Sequence, residues 1–162
     1  MALDALIDEI RACRACAGDL PHEPRPVVRV SPATRLLICG QAPGRRVHEI
    51  CFPGTNPKGG DYPPPPRCAN LWRGRLTQAL PKAELTLLVG GYAQKWALGA
   101  RAKADMTQTV AAWREYGPDL LPMPHPSWRN TAWLRRNPWF EDEVVPYLQF
   151  RVAGLLGSGK PA

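Results

Sequence analysis

Three short apolar runs fix what this chain can become. The segments Arg35–Gly40 (RLLICG), Leu85–Gly90 (LTLLVG) and Leu120–Met123 (LLPM) are too short for helices, and a glycine or proline turn closes each of them. They lack the in-out alternation of a strand with one wet face, so they read as strands of a parallel sheet buried on both faces. Helical spacing separates them. Leu3, Leu6, Ile7 and Ile10 predict a helix over residues 3–16, with Cys13 and Cys16 at or just beyond its end. Further helices are expected over Asn70–Leu80, Tyr92–Leu98, Thr107–Tyr116 and residues 139–156, with Pro146 kinking the last. Val27–Val30 reads as a short edge strand, and residues 51–68 are too rich in proline and glycine for regular structure, with Pro63–Pro66 a stiff extended stretch. The expected fold class is α/β, a three-layer αβα sandwich with a central parallel sheet, forming one domain over residues 1–162.

Such sheets carry their sites where strands end at the carboxyl edge. Two unusual loops fall there: Gly40-Gln41-Ala42-Pro43-Gly44 after the first strand, and Pro124-His125-Pro126-Ser127-Trp128-Arg129-Asn130 after the third. His125, held between two prolines, suits a fixed donor aimed at developing negative charge. A loop histidine that is simply solvated is the blander alternative, as an ordinary turn is for GQAPG. Neither G-x-G-x-x-G nor a P-loop lysine follows any strand, which disfavours a nucleotide-binding enzyme.

Twenty-one Lys and Arg against fourteen Asp and Glu give a formal charge of +7. An excess of this size favours a polyanionic partner. Arg45, Arg46 and Arg129, with Arg135 further on, cluster near the loops. The amino-terminal stretch lacks the pattern of a secretory signal, and no run has the roughly 18 apolar residues of a membrane span. A cytoplasmic monomer that does not enter membranes is expected.

Five cysteines in a reducing compartment read as metal ligands or buried apolar groups, rather than disulfides. Cys13 and Cys16 form a C-x2-C pair. Cys51 and Cys68 form a second pair across the proline-rich stretch, whereas Cys39 lies inside an apolar run and reads as core. Four thiolates suit a [4Fe-4S] cluster or a structural zinc, unless the C-x2-C pair is merely buried.

GQAPG after one buried strand, HPSWRN after a later one, and four cysteines in this order together resemble the uracil-DNA glycosylase superfamily, most closely its iron-sulfur branch. The resemblance spans Cys13 to about Asn130. It implies a DNA glycosylase that excises uracil or another deaminated or damaged base in base-excision repair, with DNA as partner. His125 and Gln41 would then be catalytic, and Gly40, Gln41, Ala42 and His125 would bind the base. Pro124, Pro126, Ser127, Arg129, Arg45 and Arg46 would hold the DNA strand, and Cys13, Cys16, Cys51 and Cys68 a [4Fe-4S] cluster, with zinc the alternative. Trp128 and Trp133 would either wedge into DNA or pack against the closing helix.

Two departures stand out. Gln41 occupies a position where the iron-sulfur members commonly carry Glu, and an amide cannot act as general base. Water attack would then need little base assistance, or His48 or Glu49 would supply it. Only six residues separate Gly44 from Cys51, too few for a helix and a further strand. The sequence therefore reads as lacking a segment between Glu49 and Cys51, the one that would carry the aromatic residue stacking on a flipped base. Phe52 or Tyr62 would have to replace that aromatic. The alternative function is a weakly active or inactive iron-sulfur protein of the same fold that binds nucleic acid.

Overall fold

A computed structural model describes residues 2–20, 23–40, 57, 62–127 and 130–157. Its elements, in order, are α1 (Leu3–Arg11), β1 (Leu36–Gly40), α2 (Pro66–Gln78), β2 (Leu85–Val89), α3 (Gly91–Leu98), α4 (Met106–Ala111), β3 (Leu120–Met123), α5 (Thr131–Arg136) and α6 (Val145–Leu156). The strands form an all-parallel sheet in the order β1-β2-β3. The chain divides into two compact units, residues 1–34 with 40–83, and residues 35–39 with 84–162.

In the second unit, Leu87 lies opposite Leu121 and Leu88 opposite Pro122. The strand period of two sends Leu85, Leu87 and Leu121 to one face, where Val110 of α4, Trp133 of α5 and Leu155 of α6 enclose them with Trp113, Phe140 and Val144. Leu88 points the other way, onto Leu98 of α3 and Tyr116, with Cys39 packed alongside. Helices thus cover both faces of β2 and β3, as an α/β fold requires of apolar strands, whereas Ile38 of β1 is exposed. Cys39 is part of this packing, as the sequence suggested. Pro122 is tolerated because nothing among the described residues pairs with the far side of β3.

Local chemistry accounts for the differences from expectation. The expected helix over Thr107–Tyr116 is shorter: α4, capped by the Asp105 carboxylate on the Gln108 N–H at 2.8 Å, gives way to a 3-10 turn at Trp113–Glu115. A continuous α-helix would keep Trp113 and Tyr116 on one face, but they join the two different clusters. The closing helix begins as a π-helical turn, Phe140–Val144, and Pro146 falls in the first turn of α6 rather than at a mid-helix kink. Pro146 has no N–H for the Asp142 carbonyl, and the widened turn absorbs that loss. Val27–Val30 is not a strand. Pro24 and Pro26 interrupt its approach, and the Val28 carbonyl accepts from the Arg11 side chain instead. α5 was not anticipated from the sequence.

In the first unit, α1 buries Leu6, Ile7 and Ile10 along one face. Its Glu9 carboxylate takes a two-pronged bond from Arg75 of α2, at 2.9 and 2.6 Å, while the Arg75 guanidinium lies 5.0 Å from the centre of the Trp72 ring. The bond from Arg75 holds the Glu9 carboxyl below the usual carboxylate range. α2 starts at Pro66, four residues earlier than expected, because proline suits a first helical position where no N–H is needed. Cys68 therefore rides on a helix, not in the proline-rich loop. No helix among the described residues is long and apolar enough to cross a membrane.

Leu121 is 1% exposed at the centre of the larger cluster. Leu121→Ala should cost about 2–5 kcal/mol in denaturant unfolding. Ile38→Ala, on a side chain 64% exposed, should stay within about 0.5 kcal/mol.

Candidate functional site

The carboxyl edge of β2 and β3 is built from main chain first. The Gly90 N–H donates to the Met123 carbonyl at 2.9 Å, carrying the ladder one residue past β2. Gly90 then turns with φ 85° and ψ 161°, a conformation open to glycine alone, and α3 starts at the next residue. A Cβ at Gly90 would stand 3.7 Å from the His125 Cβ and 3.9 Å from its Cδ2, so the turn after β2 lies beside His125.

Beyond β3, Pro124 is buried while His125 and Pro126 are exposed. The His125 carbonyl is fixed twice, by the Ser127 N–H at 2.8 Å and by a short bond from the Asn130 side-chain amide. The Ser127 carbonyl in turn accepts from the Asn130 N–H at 2.8 Å. Asn130 owes its place to α5, which it precedes. Trp133 of α5 is buried edge-on between Trp139 and Phe140, at ring-centre distances of 5.8 and 5.5 Å, and its indole N–H donates to the Thr107 hydroxyl at 2.8 Å. Trp133 is therefore a packing residue, and of the two roles open to it in sequence the DNA wedge is excluded. The imidazole of His125 is left exposed on a backbone that two hydrogen bonds hold still.

The described cysteines are all thiols. Cys13 follows the end of α1, its N–H donating to the Ile10 carbonyl at 3.1 Å. Cys16 is buried and opens a 3-10 turn, Ala17–Asp19. Cys68 sits in the first turn of α2, and its backbone N–H donates to the Cys16 sulfur. Arg67 makes this approach by donating to the Ala15 carbonyl at 2.6 Å and pairing with Asp19 at 3.5 Å. Burial pushes the Cys16 thiol up, against the nearby Arg67 charge, with Cys13 and Asp19 adding to the rise. Of the four expected ligands, Cys16 therefore meets the backbone of Cys68, and the Cys13 charge acts on the same thiol. No three metal-binding side chains among the described residues stand close enough to hold an ion.

Of the other expected site residues, Gly40 ends β1, and its carbonyl accepts from Arg73 at 3.0 Å. Tyr62 is exposed ahead of α2, and Arg135 is exposed on α5. Gln41, Ala42, Arg45, Arg46, His48, Glu49, Cys51, Phe52, Trp128 and Arg129 lie outside the described residues. Sequence reasoning missed Gly90, Gln94 and Asn130. The signal for Gly90 was a Gly-Gly step straight after an apolar strand; that for Asn130 was its place between a turn and a helix.

Because φ at Gly90 is +85°, Gly90→Ala should cost about 1–3 kcal/mol through backbone strain. It should also shift the His125 ring signals in NMR, whereas Gly74→Ala, inside α2 with nothing within 4 Å of the added carbon, should do neither.

Residues 50–149 match the family described as the Uracil DNA glycosylase superfamily. The matched stretch contains β2, β3, the Gly90 turn and the whole His125 loop, and it covers more than half of the sequence. The chain therefore belongs to the uracil DNA glycosylase superfamily.

Proposed function

We propose that this protein is a DNA glycosylase that removes uracil or another deaminated base by hydrolysing its N-glycosidic bond. The observation that carries this reading is the exposed imidazole of His125 on a doubly pinned loop, at the carboxyl end of a parallel strand. Such an enzyme flips the nucleotide out of the stack, and its transition state pairs a sugar cation with an anionic leaving base. A ring nitrogen of His125 donating to the base oxygen stabilises charge that exists only near that transition state. The Pro124–Ser127 turn lies beside it to hold the strand, with Arg45, Arg46 and Arg129 supplying phosphate contacts that position the duplex without reading it. Gln41 would orient the attacking water or the base edge.

The same reading assigns Cys13, Cys16, Cys51 and Cys68 to a [4Fe-4S] cluster, which places the chain in the iron-sulfur branch. The approach of Cys16 to Cys13 and Cys68 supports this assignment. A cluster held by these thiolates would supply cross-linking rather than bond cleavage, with Cys13 and Cys16 beyond the end of α1 and Cys68 at the start of α2 as its ligands. The second reading, a nucleic-acid-binding protein without glycosylase activity, is favoured by Gln41 standing where a carboxylate could have served as base.

In single-turnover cleavage of a uracil-containing oligonucleotide, His125→Ala should lower the rate by about 10²–10³ with DNA binding retained. Equal rates for the two proteins would remove His125 from the chemistry, and cleavage by neither would favour the binding reading. Anaerobically purified protein should be brown and hold about four irons per chain. Colourless protein with one tightly held zinc would overturn the cluster assignment.

A further inference from the structure

Gln94 is 1% exposed, in the first turns of α3, and it is one of only two buried polar side chains among the described residues. Its Nε2 donates to the Leu88 carbonyl at 3.3 Å and to the Met123 carbonyl at 2.8 Å. Leu88 lies two residues before Gly90, and Met123 two residues before His125. One side-chain amide therefore laces together the carboxyl ends of β2 and β3, the same two ends from which Gly90 and His125 follow. Its Oε1 is buried without a hydrogen-bond partner among the described residues. An unpaired buried acceptor is unfavourable, and an apolar side chain of the same length would avoid it. What the amide gives in return is the pair of bonds across the strand ends.

We propose that Gln94 is a positioning residue for His125, holding the distance between the β2 and β3 ends so that the imidazole keeps its aim at the substrate. This rests on the glycosylase reading for its consequence, though not for its geometry. The Met123 carbonyl keeps the Gly90 N–H as a donor when the Gln94 amide is lost. The fold thus survives that loss better than the alignment does.

The test compares the full-length wild type with Gln94→Met, which keeps length and removes both donors. Leu155→Ala serves as a destabilised control: Leu155 is buried, and its carbonyl accepts from Arg35, the residue before β1, at the opposite edge of the sheet. Thermal stability, single-turnover cleavage of a uracil-containing oligonucleotide, binding of the undamaged duplex and the imidazole NMR signals of His125 are measured on each. Gln94→Met should lower the cleavage rate by about 10²-fold, the scale of an ångström misplacement, with binding unchanged and the His125 signals shifted. Leu155→Ala should lose at least as much thermal stability with an unchanged rate. Unshifted His125 signals in Gln94→Met, or a matching rate loss in Leu155→Ala, would overturn the proposal. Should the wild type cleave nothing, the glycosylase reading fails on its own, and the His125 signals decide positioning: a shift supports it and none overturns it. If Gln94→Met does not fold, Gln94→Asn, too short to reach both carbonyls, is read in the same way.

Discussion

Gly90 and His125 meet where two parallel strands end, and the rest of the second unit is arranged so that they can. Strand β2 must stop at a glycine, since the turn after it has a positive φ, and that glycine lies beside the histidine. Strand β3 must present His125 outward while keeping Pro124 inside. Both requirements are met by bonds to the Met123 and His125 carbonyls, and the one from Asn130 depends on α5, which Trp133 anchors. Trp133 buries α5, α5 places Asn130, and Asn130 fixes the His125 carbonyl. Hydrophobic burial, the large and non-directional term, is thereby converted into a direction for one imidazole.

The other unit solves a different problem with different means. Leu6, Ile7 and Ile10 of α1 are buried, but α2 has no buried residue. Its elements are joined by directed bonds from arginine: Arg75 to Glu9, Arg67 to Ala15 and Asp19, Arg11 to Val28. Exposed ion pairs of this kind contribute little stability each. A small unit gains most from a covalent or metal cross-link, which is the part the proposed cluster would take here.

The sheet was legible in the sequence because uninterrupted apolar runs of four or five residues have few other uses. The His125 loop was legible for the same reason, since it begins where such a run stops. The start of α2 was not, because Pro66 signals a break when read after three other prolines and a beginning when read before Arg67 and Cys68. Val27–Val30 has the β-branched residues of a strand but, among the described residues, no neighbouring strand to use them, which only tertiary structure reveals. Gln94 left no trace at all. Its partners are main-chain carbonyls 6 and 29 residues away, and an amide in an amphipathic helix looks like any surface residue. Trp133 could be read either way until its indole partner, Thr107, was known.

The central claim is that the β2–β3 carboxyl edge is where this protein handles a damaged nucleotide. It is tested most directly by NMR titration of the labelled protein with a duplex carrying a non-hydrolysable deoxyuridine analogue. The account predicts the largest shifts at the amides of Gly90 and Ser127 and at the His125 ring, with a smaller response to the same duplex carrying thymidine. Shifts confined to another surface, such as the outer side of α6 around Phe150, with the His125 loop unmoved, would contradict it.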